Sequence, residues 1–310
     1  MSPAQHRPPP RVRLRLPATS ANLGPGFDTL ALAMQLYLDI EAEAAAEFRI
    51  EATGRNADIC GAIENNLLLS TYRELLADHK RPAVPLDLSM RNDIPLGMGC
   101  GSSAAVRLAA VALAAHFGEL GWDRERILAE ASRLEGHPDN AAACWLGGFV
   151  TSAPNGDRIV AVSFPLPPEW RAVIVMPDQP LATTESRAVL PAAWPRGDVV
   201  ANLQHVALLT AAFATGRGDL IAAAMRDNLH QPYRAKVCPL LPKLLPLAGR
   251  DGITGVSLSG AGPAVLLLTT SEQSAADVLA RVQTATEGLG RVEILICKLQ
   301  SDPAQFEPLQ

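Results

Sequence analysis

At 310 residues the chain is near twice the usual domain size and can bury real cores without disulfide or metal staples. Hydrophobic residues make up 48% and charged residues 19%, which excludes a disordered or fibrous chain. The 27 Lys plus Arg against 32 Asp plus Glu leave a net charge of −5, the wrong sign for wrapping nucleic acid or anionic lipid.

Residues 11–16 alternate arginines with Val12, Leu14 and Leu16, the two-residue period of a strand with one buried face. A glycine-rich loop follows over 17–28, then strands at 36–41 and 48–53. Residues 63–78 carry Ile63, Leu67, Leu68, Tyr72, Leu75 and Leu76 at helical spacing, and 86–91 alternate again as a strand. After a loop over 92–102, residues 103–117 read as a helix with almost no polar face, a composition that belongs in a core. A helix over 122–134 takes Asp123 as its N-cap, and Gly147-Gly148 turns the chain into strands at 149–152 and 159–163. The second half carries strands at 171–176, 253–258, 264–269 and 292–297, with helices at 199–214, 219–225, 239–248 and 271–286. No fixed repeat runs through this mixture, so two α+β lobes are expected, over 11–160 and 161–300, with flexible tails at 1–10 and 301–310.

Five cysteines (Cys60, Cys100, Cys144, Cys238 and Cys297) are scattered and never form a CxxC or CxxH spacing, so reduced thiols in a cytoplasm are expected. The apolar stretch 104–117 is interrupted by Arg107 and His116 and is too short to cross a bilayer of roughly 30 Å. The first residues lack an apolar core and a small-residue cleavage site, so no secretory leader is expected.

Three glycine-rich segments carry the chemistry. Residues 95–105, PLGMGCGSSAA, lie between a strand and the apolar helix. Glycines at 97, 99 and 101 permit positive φ, so that successive N–H groups can converge on an anion. Ser102 and Ser103 then open a helix whose first turn offers unpaired amides and a partial positive charge. No Lys follows the last glycine and position 102 is Ser, so neither the Walker pattern nor GxGxxG applies. The bland alternative is a tight turn packed under a helix. Residues 259–263, SGAGP, sit between two apolar strands, where a plain hairpin would also use glycine. Residues 17–28, PATSANLGPGFD, offer Thr19, Ser20, Asn22 and Asp28 on a rigid turn, either for a ligand or for hydrogen bonds within the turn itself.

Together, in this order, these segments resemble the signature set of the small-molecule kinase superfamily of galactokinases, homoserine kinases, mevalonate kinases and phosphomevalonate kinases. The homoserine kinases are most similar, through PATSANLGPGFDTLALA, PLGMGCGSSAA, LEGHPDNAAACWLGGF, TTESRAVLP, HQPYR and SLSGAGP, which span about residues 12 to 265. The resemblance implies a two-lobed kinase fold: an N-terminal, ATP-binding lobe like a ribosomal-protein domain, and a C-terminal α+β sandwich lobe. It implies ATP contacts from Pro95, Gly97, Met98, Gly99, Cys100, Gly101, Ser102 and Ser103, and Mg²⁺ held by Ser103 and Glu135, with Glu130 as the competing position. It implies a substrate, L-homoserine, surrounded by Asn22, Asp28, His137, Asp139, Asn140, Arg187, Arg234 and Gly260. Asp28 would pair with its ammonium, and Arg187 and Arg234 would hold its carboxylate. The bland readings are surface ion pairs for both arginines and a helix-facing imidazole for His137. The family pattern further implies phosphorylation of the side-chain hydroxyl for threonine synthesis, and homodimers are common in it.

Departures bear on mechanism. Where related branches carry an aspartate base, this chain keeps Asn140, and an amide cannot take a proton; alignment and charge neutralisation would then carry phosphoryl transfer. Cys100 stands where leucine is usual, a packing position rather than a nucleophile. The alternatives are a sister kinase acting on another small hydroxyl substrate, a non-catalytic nucleotide or amino-acid sensor, or an RNA-binding protein on the same fold.

Overall fold

The computed structural model describes residues 9–309. Six strands, β1 (Val12–Asn22), β2 (Gly26–Ala44), β3 (Arg49–Gly54), β4 (Leu86–Asn92), β5 (Phe149–Asn155) and β6 (Arg158–Phe164), build the first sheet, in which only β3 and β4 pair in parallel. Four more, β7 (Arg171–Pro177), β8 (Ile253–Leu258), β9 (Val265–Thr269) and β10 (Val292–Lys298), form an antiparallel sheet in the order β10-β7-β9-β8. The chain then returns as β11 (Gln305–Pro308) to the edge of the first sheet beside β1.

The alternation in β1 has its expected cause. Val12, Leu14 and Leu16 point into the core, while Arg11 and Arg13 reach Glu41 and Arg15 reaches Asp39 of β2 on the open face. Strand β7 is buried on both faces instead. Ile174 and Met176 join the large core with Leu266 and Leu268, while Val173 and Val175 join a second core beneath the Glu272–Ala285 helix. The apolar helix is central, as its composition requires: Ser102–Phe117 packs against helices Leu67–Asp78, Arg124–Glu135 and Asp139–Leu146. Leu108 and Leu113 within it are fully buried, each stabilising the fold by about 1.5–3 kcal/mol.

Several expectations need correction. The segment 17–28 is mostly sheet, not loop, because β1 continues to Asn22 and β2 begins at Gly26, with register shifts absorbing the irregularity. Residues around the shifts are buried on both faces, which erases the alternation that marks a strand. The strand expected at 36–41 lies within the 19-residue strand β2, which runs from Gly26 to Ala44. Ile63 lies outside its helix, which starts at Leu67 behind an Asn66 cap. The HPDN segment opens the unanticipated helix Asp139–Leu146, and the helix expected at 219–225 is a 3-10 turn followed by Ile221–Ala224. Strand β6 runs across the division expected at residue 160. Residues 305–308 pair with β1 rather than forming a tail; of the tail expected at 1–10, residues 1–8 lie outside the described residues. No helix among the described residues is long and apolar enough to cross a membrane.

The two sheets meet at the glycine-rich segments. Gly260 N–H donates to Ala21 O (3.1 Å), Asn22 Nδ2 donates to Gly260 O (2.8 Å), and Ser259 Oγ lies 2.9 Å from Ser20 Oγ and 2.8 Å from Gly99 O. All three segments thus converge on one place.

Candidate active site

That place is a cavity of about 420 Å³. Gly97, Gly99 and Gly101 have φ of 69°, 78° and 71°, the left-handed region that glycine enters at no steric cost. At two of them space is also decisive: a Cβ at Gly99 would overlap Ser259 O, and one at Gly101 would overlap the Thr19 hydroxyl. Gly101 precedes helix Ser102–Phe117 without a side-chain cap, so the positive end of a long helix opens on the cavity at Ser102, Ser103 and Ala104. Ser103 Oγ donates to Glu135 Oε1 (2.7 Å), and Arg107 Nη1 donates to the same oxygen (3.0 Å) and to Leu134 O (2.6 Å). A hydroxyl and a carboxylate are hard oxygen donors that leave further positions to water and phosphate, which suits Mg²⁺. Glu130 is elsewhere, buried between Arg126 and Arg133 and outside this cavity.

Pro95, Met98 and Cys100, expected among the nucleotide contacts, do not line the cavity. Met98 O accepts from Ala264 N–H (3.3 Å) and Cys100 O from Thr19 N–H (3.1 Å), so both serve to hold the loop. Burial pushes the Cys100 thiol up to about 12, which makes it inert as a nucleophile. A second, apolar cavity of about 220 Å³ shares Ser102 and Ser103 with the first and is walled by Leu38, Ile59, Met90, Ile94, Leu96 and Val106. Its asparagines are Asn65 and Asn66, ahead of helix Leu67–Asp78, and Asn92 at the end of β4.

On the other side of the glycine loop lie the charged residues. Asn22 and Asp28 are non-glycine residues at φ of 69° and 54°. Asn22 Oδ1 accepts from Asp28 N–H (3.0 Å) while its amide holds Gly260, so Asn22 fixes the turn that presents Asp28. Arg187 forks onto Asp28, with nitrogen–oxygen distances of 3.1 and 2.6 Å. Arg234 is buried, 1% exposed, and its hydrogen-bond partners are Ser186 O, Gly260 O and the His230 ring. Burial, and then the charge of Arg187, lower its pKa to about 10. Both guanidinium groups stand over the Phe27 ring, at 5.4 and 5.3 Å.

His230 is neutral by geometry. Its Nε2–H donates to Gly24 O (2.7 Å), which leaves Nδ1 to accept from Arg234 (3.2 Å). His137 Nδ1 pairs with Asp139 Oδ1 (2.7 Å); burial alone would lower this imidazole, but the Asp139 contact outweighs it and raises the pKa. Asp28, His137 and Asp139 bring ligand atoms within 4.8 Å of one another, two of them carboxylates.

The structure therefore gathers Asn22, Asp28, Gly97, Gly99, Gly101, Ser102, Ser103, Glu135, His137, Asp139, Asn140, Arg187, Arg234 and Gly260 around one cavity. Sequence reasoning missed Arg107, Thr183 and Thr184, which also line it. Arg107 had a legible signal, since it stands four residues after Ser103 on one helix face. Thr183 and Thr184 open the TTESRAVLP motif, at the start of the short helix Thr183–Ala188, beside the Arg187 expected at the site.

Comparison with known proteins bears on this arrangement. The family model described as GHMP kinases N terminal domain matches residues 66–148, and GHMP kinases C terminal matches 209–287. The homoserine kinase of Solibacter usitatus is 46% identical over 255 residues, 82% of this chain and 84% of that protein. The homoserine kinase of Moorella thermoacetica is 40% identical over 262 residues, 84% of this chain and 88% of that protein. The crystal structure of homoserine kinase from Cytophaga hutchinsonii superposes with a TM-score of 0.78 at 23% identity, covering 96% of this chain and 97% of that one, a likeness of fold.

Proposed function

The chain belongs to the GHMP kinases, and from that premise we propose that it transfers the γ-phosphoryl group of ATP to the side-chain hydroxyl of L-homoserine. The products are O-phospho-L-homoserine, a precursor for threonine synthesis, and ADP. One observation carries the choice of substrate. Arg234 is a buried guanidinium whose hydrogen-bond partners are carbonyl oxygens and a neutral imidazole, a costly arrangement that a bound carboxylate offsets. Beside it, the Asp28 and Asp139 carboxylates suit an ammonium. A zwitterion entering here divides the Arg187–Asp28 pair, its carboxylate taking the arginine and its ammonium the aspartate, so charge balance is kept. Mevalonate or a sugar offers no such cation.

The glycine-loop amides and the uncapped helix start bind the triphosphate, and the apolar cavity takes the base. Ser103 and Glu135 would hold Mg²⁺, which when bound neutralises charge on the phosphate oxygens. The acceptor oxygen bonds to the γ-phosphorus as the bond to the bridging oxygen of ADP breaks, and the hydroxyl proton leaves late, to phosphate or water. Asn140 orients the hydroxyl without taking its proton. The cysteines are all free thiols, in keeping with a cytoplasmic setting, and an exposed apolar face on helix Arg196–Ala214 favours a homodimer.

The deciding experiment measures Mg²⁺-dependent ADP release against L-homoserine, L-threonine, L-serine, mevalonate, galactose and shikimate. Turnover strongest with homoserine is expected. Preference for mevalonate or a sugar would overturn the zwitterion clamp, and no turnover with any would favour a sensor.

A further inference from the structure

Thr19 lies in β1, fully buried, between the glycine loop and the HPDN helix. Its N–H donates to Cys100 O (3.1 Å), and its hydroxyl lies 2.7 Å from Asn140 Oδ1. Chemistry fixes which way the Asn140 amide points. Asp139 Oδ1 lies 2.6 Å from the Asn140 N–H and 3.3 Å from Nδ2, and an ionised carboxylate only accepts. One hydrogen of the NH₂ group therefore faces Asp139, which leaves its second for the cavity that Asn140 lines, while the amide oxygen faces Thr19 and the Thr19 hydroxyl must donate. Gly101 leaves little room for another arrangement, since a Cβ there would overlap the Thr19 hydroxyl and stand 3.2 Å from Asn140 Oδ1.

We propose that Thr19 is a positioning residue that locks the Asn140 amide with its NH₂, not its carbonyl, toward the acceptor hydroxyl, and ties that orientation to the phosphate-binding loop. The inference rests on the reading that Asn140 orients the hydroxyl. With the NH₂ presented, the substrate oxygen accepts a hydrogen bond through one lone pair and directs the other at phosphorus, its own proton pointing away from Asn140. A flipped amide would hold the proton instead and turn the attacking lone pair aside. Such a fault slows the transfer and leaves binding nearly intact.

The test is kinetic. Thr19→Val keeps shape and removes the donor; Thr19→Ser keeps the donor. We expect T19V to lower kcat by about 10- to 100-fold, with KM for homoserine and for ATP within about threefold and the thermal midpoint little changed. T19S should keep kcat within about threefold, and T19V/N140A should be no slower than N140A alone, the signature of two residues acting as one unit. Wild-type turnover by T19V beside a slow N140A sinks the inference and leaves the Asn140 reading standing, as does additivity in the double variant. Wild-type turnover by N140A removes both. Should T19V not fold, T19A against T19S makes the same comparison: a slow T19A with an active T19S supports the inference, and equal rates overturn it.

Discussion

Ser103 Oγ lies 2.7 Å from Glu135 Oε1, joining the first turn of helix Ser102–Phe117 to the last residue of helix Arg124–Glu135. Glu130, on another face of the same helix, is spent on Arg126 and Arg133. The two glutamates should therefore separate cleanly on mutation. Glu135→Gln is expected to cut turnover by about 10- to 100-fold or more and to raise the Mg²⁺ concentration needed for half-maximal rate. Glu130→Gln should leave kcat intact and cost about 1 kcal/mol of stability, modest because both arginines are substantially exposed. Mg²⁺ titrations of rate and thermal melts on both variants decide; an inactive E130Q with active E135Q would exchange their roles.

Asp28 faces Arg187 in the present structure and the substrate ammonium in the proposed complex. Asp28→Asn keeps the side-chain shape and removes the charge. Its loss should raise KM for homoserine by roughly 10- to 150-fold, the scale of a charged hydrogen bond, while KM for ATP stays within about threefold. Steady-state kinetics with each substrate varied in turn provides the check, and equal changes in both constants would count against the clamp.

His230 gives stability a pH dependence. Burial lowers its pKa, Asp227 opposes, and Arg234 lowers it further, while the Gly24 hydrogen bond and Asp28 raise it; the net direction is downward. Below the ordinary value of about 6.5 the unfolded chain takes up a proton that folded His230 resists, so stability is full above that value and falls as pH drops through it. The slope reaches at most about 1.4 kcal/mol per pH unit. Urea melts between pH 7.5 and 5 should show the His230→Gln variant lacking this component, at lower absolute stability; parallel curves would contradict it.

Asn140 bears on whether a base is needed. Its backbone and side-chain amides both face Asp139 Oδ1, so Asn140→Asp sets two carboxylates side by side and removes the donor offered to the hydroxyl. Turnover should fall. A tenfold or greater rise in kcat would mean that a base limits the wild-type rate, contrary to the mechanism above.

Much of the site was legible because its chemistry is local. Gly97, Gly99 and Gly101 announce positive φ by residue type, and Ser102 and Ser103 mark the helix start. Asp123, an N-cap by residue type and place, accepts from Arg126 N–H. What stayed hidden depends on distance in space. Nothing near Thr19 in sequence indicates Asn140, 121 residues on, and only packing brings Ser259 against Gly99. The loop reading of 17–28 failed for a different reason: a strand buried on both faces has no period-two signal, and Gly24, Pro25 and Gly26 look like a long turn although only residues 23–25 make it.

Helix Arg196–Ala214 carries the last prediction. Asn202, Leu209, Ala212 and Phe213 face inward, yet Val200 and Leu203 on the outside are 45% and 62% exposed, with Leu208 at 37%. Ala207 and Ala211 continue the outer row at helical spacing and are small enough to let a second helix approach. A helix apolar on both sides belongs in an interior, and an exposed one offers a face that a partner could cover. If that partner is a second copy, Leu203→Glu places a charge in the contact and should convert a dimer to a monomer at micromolar concentrations by sedimentation velocity. Leu203 does not line the cavity, so kcat per chain should be unchanged. A wild-type chain that sediments as a monomer, or an L203E variant that stays dimeric, would remove this face from the assembly.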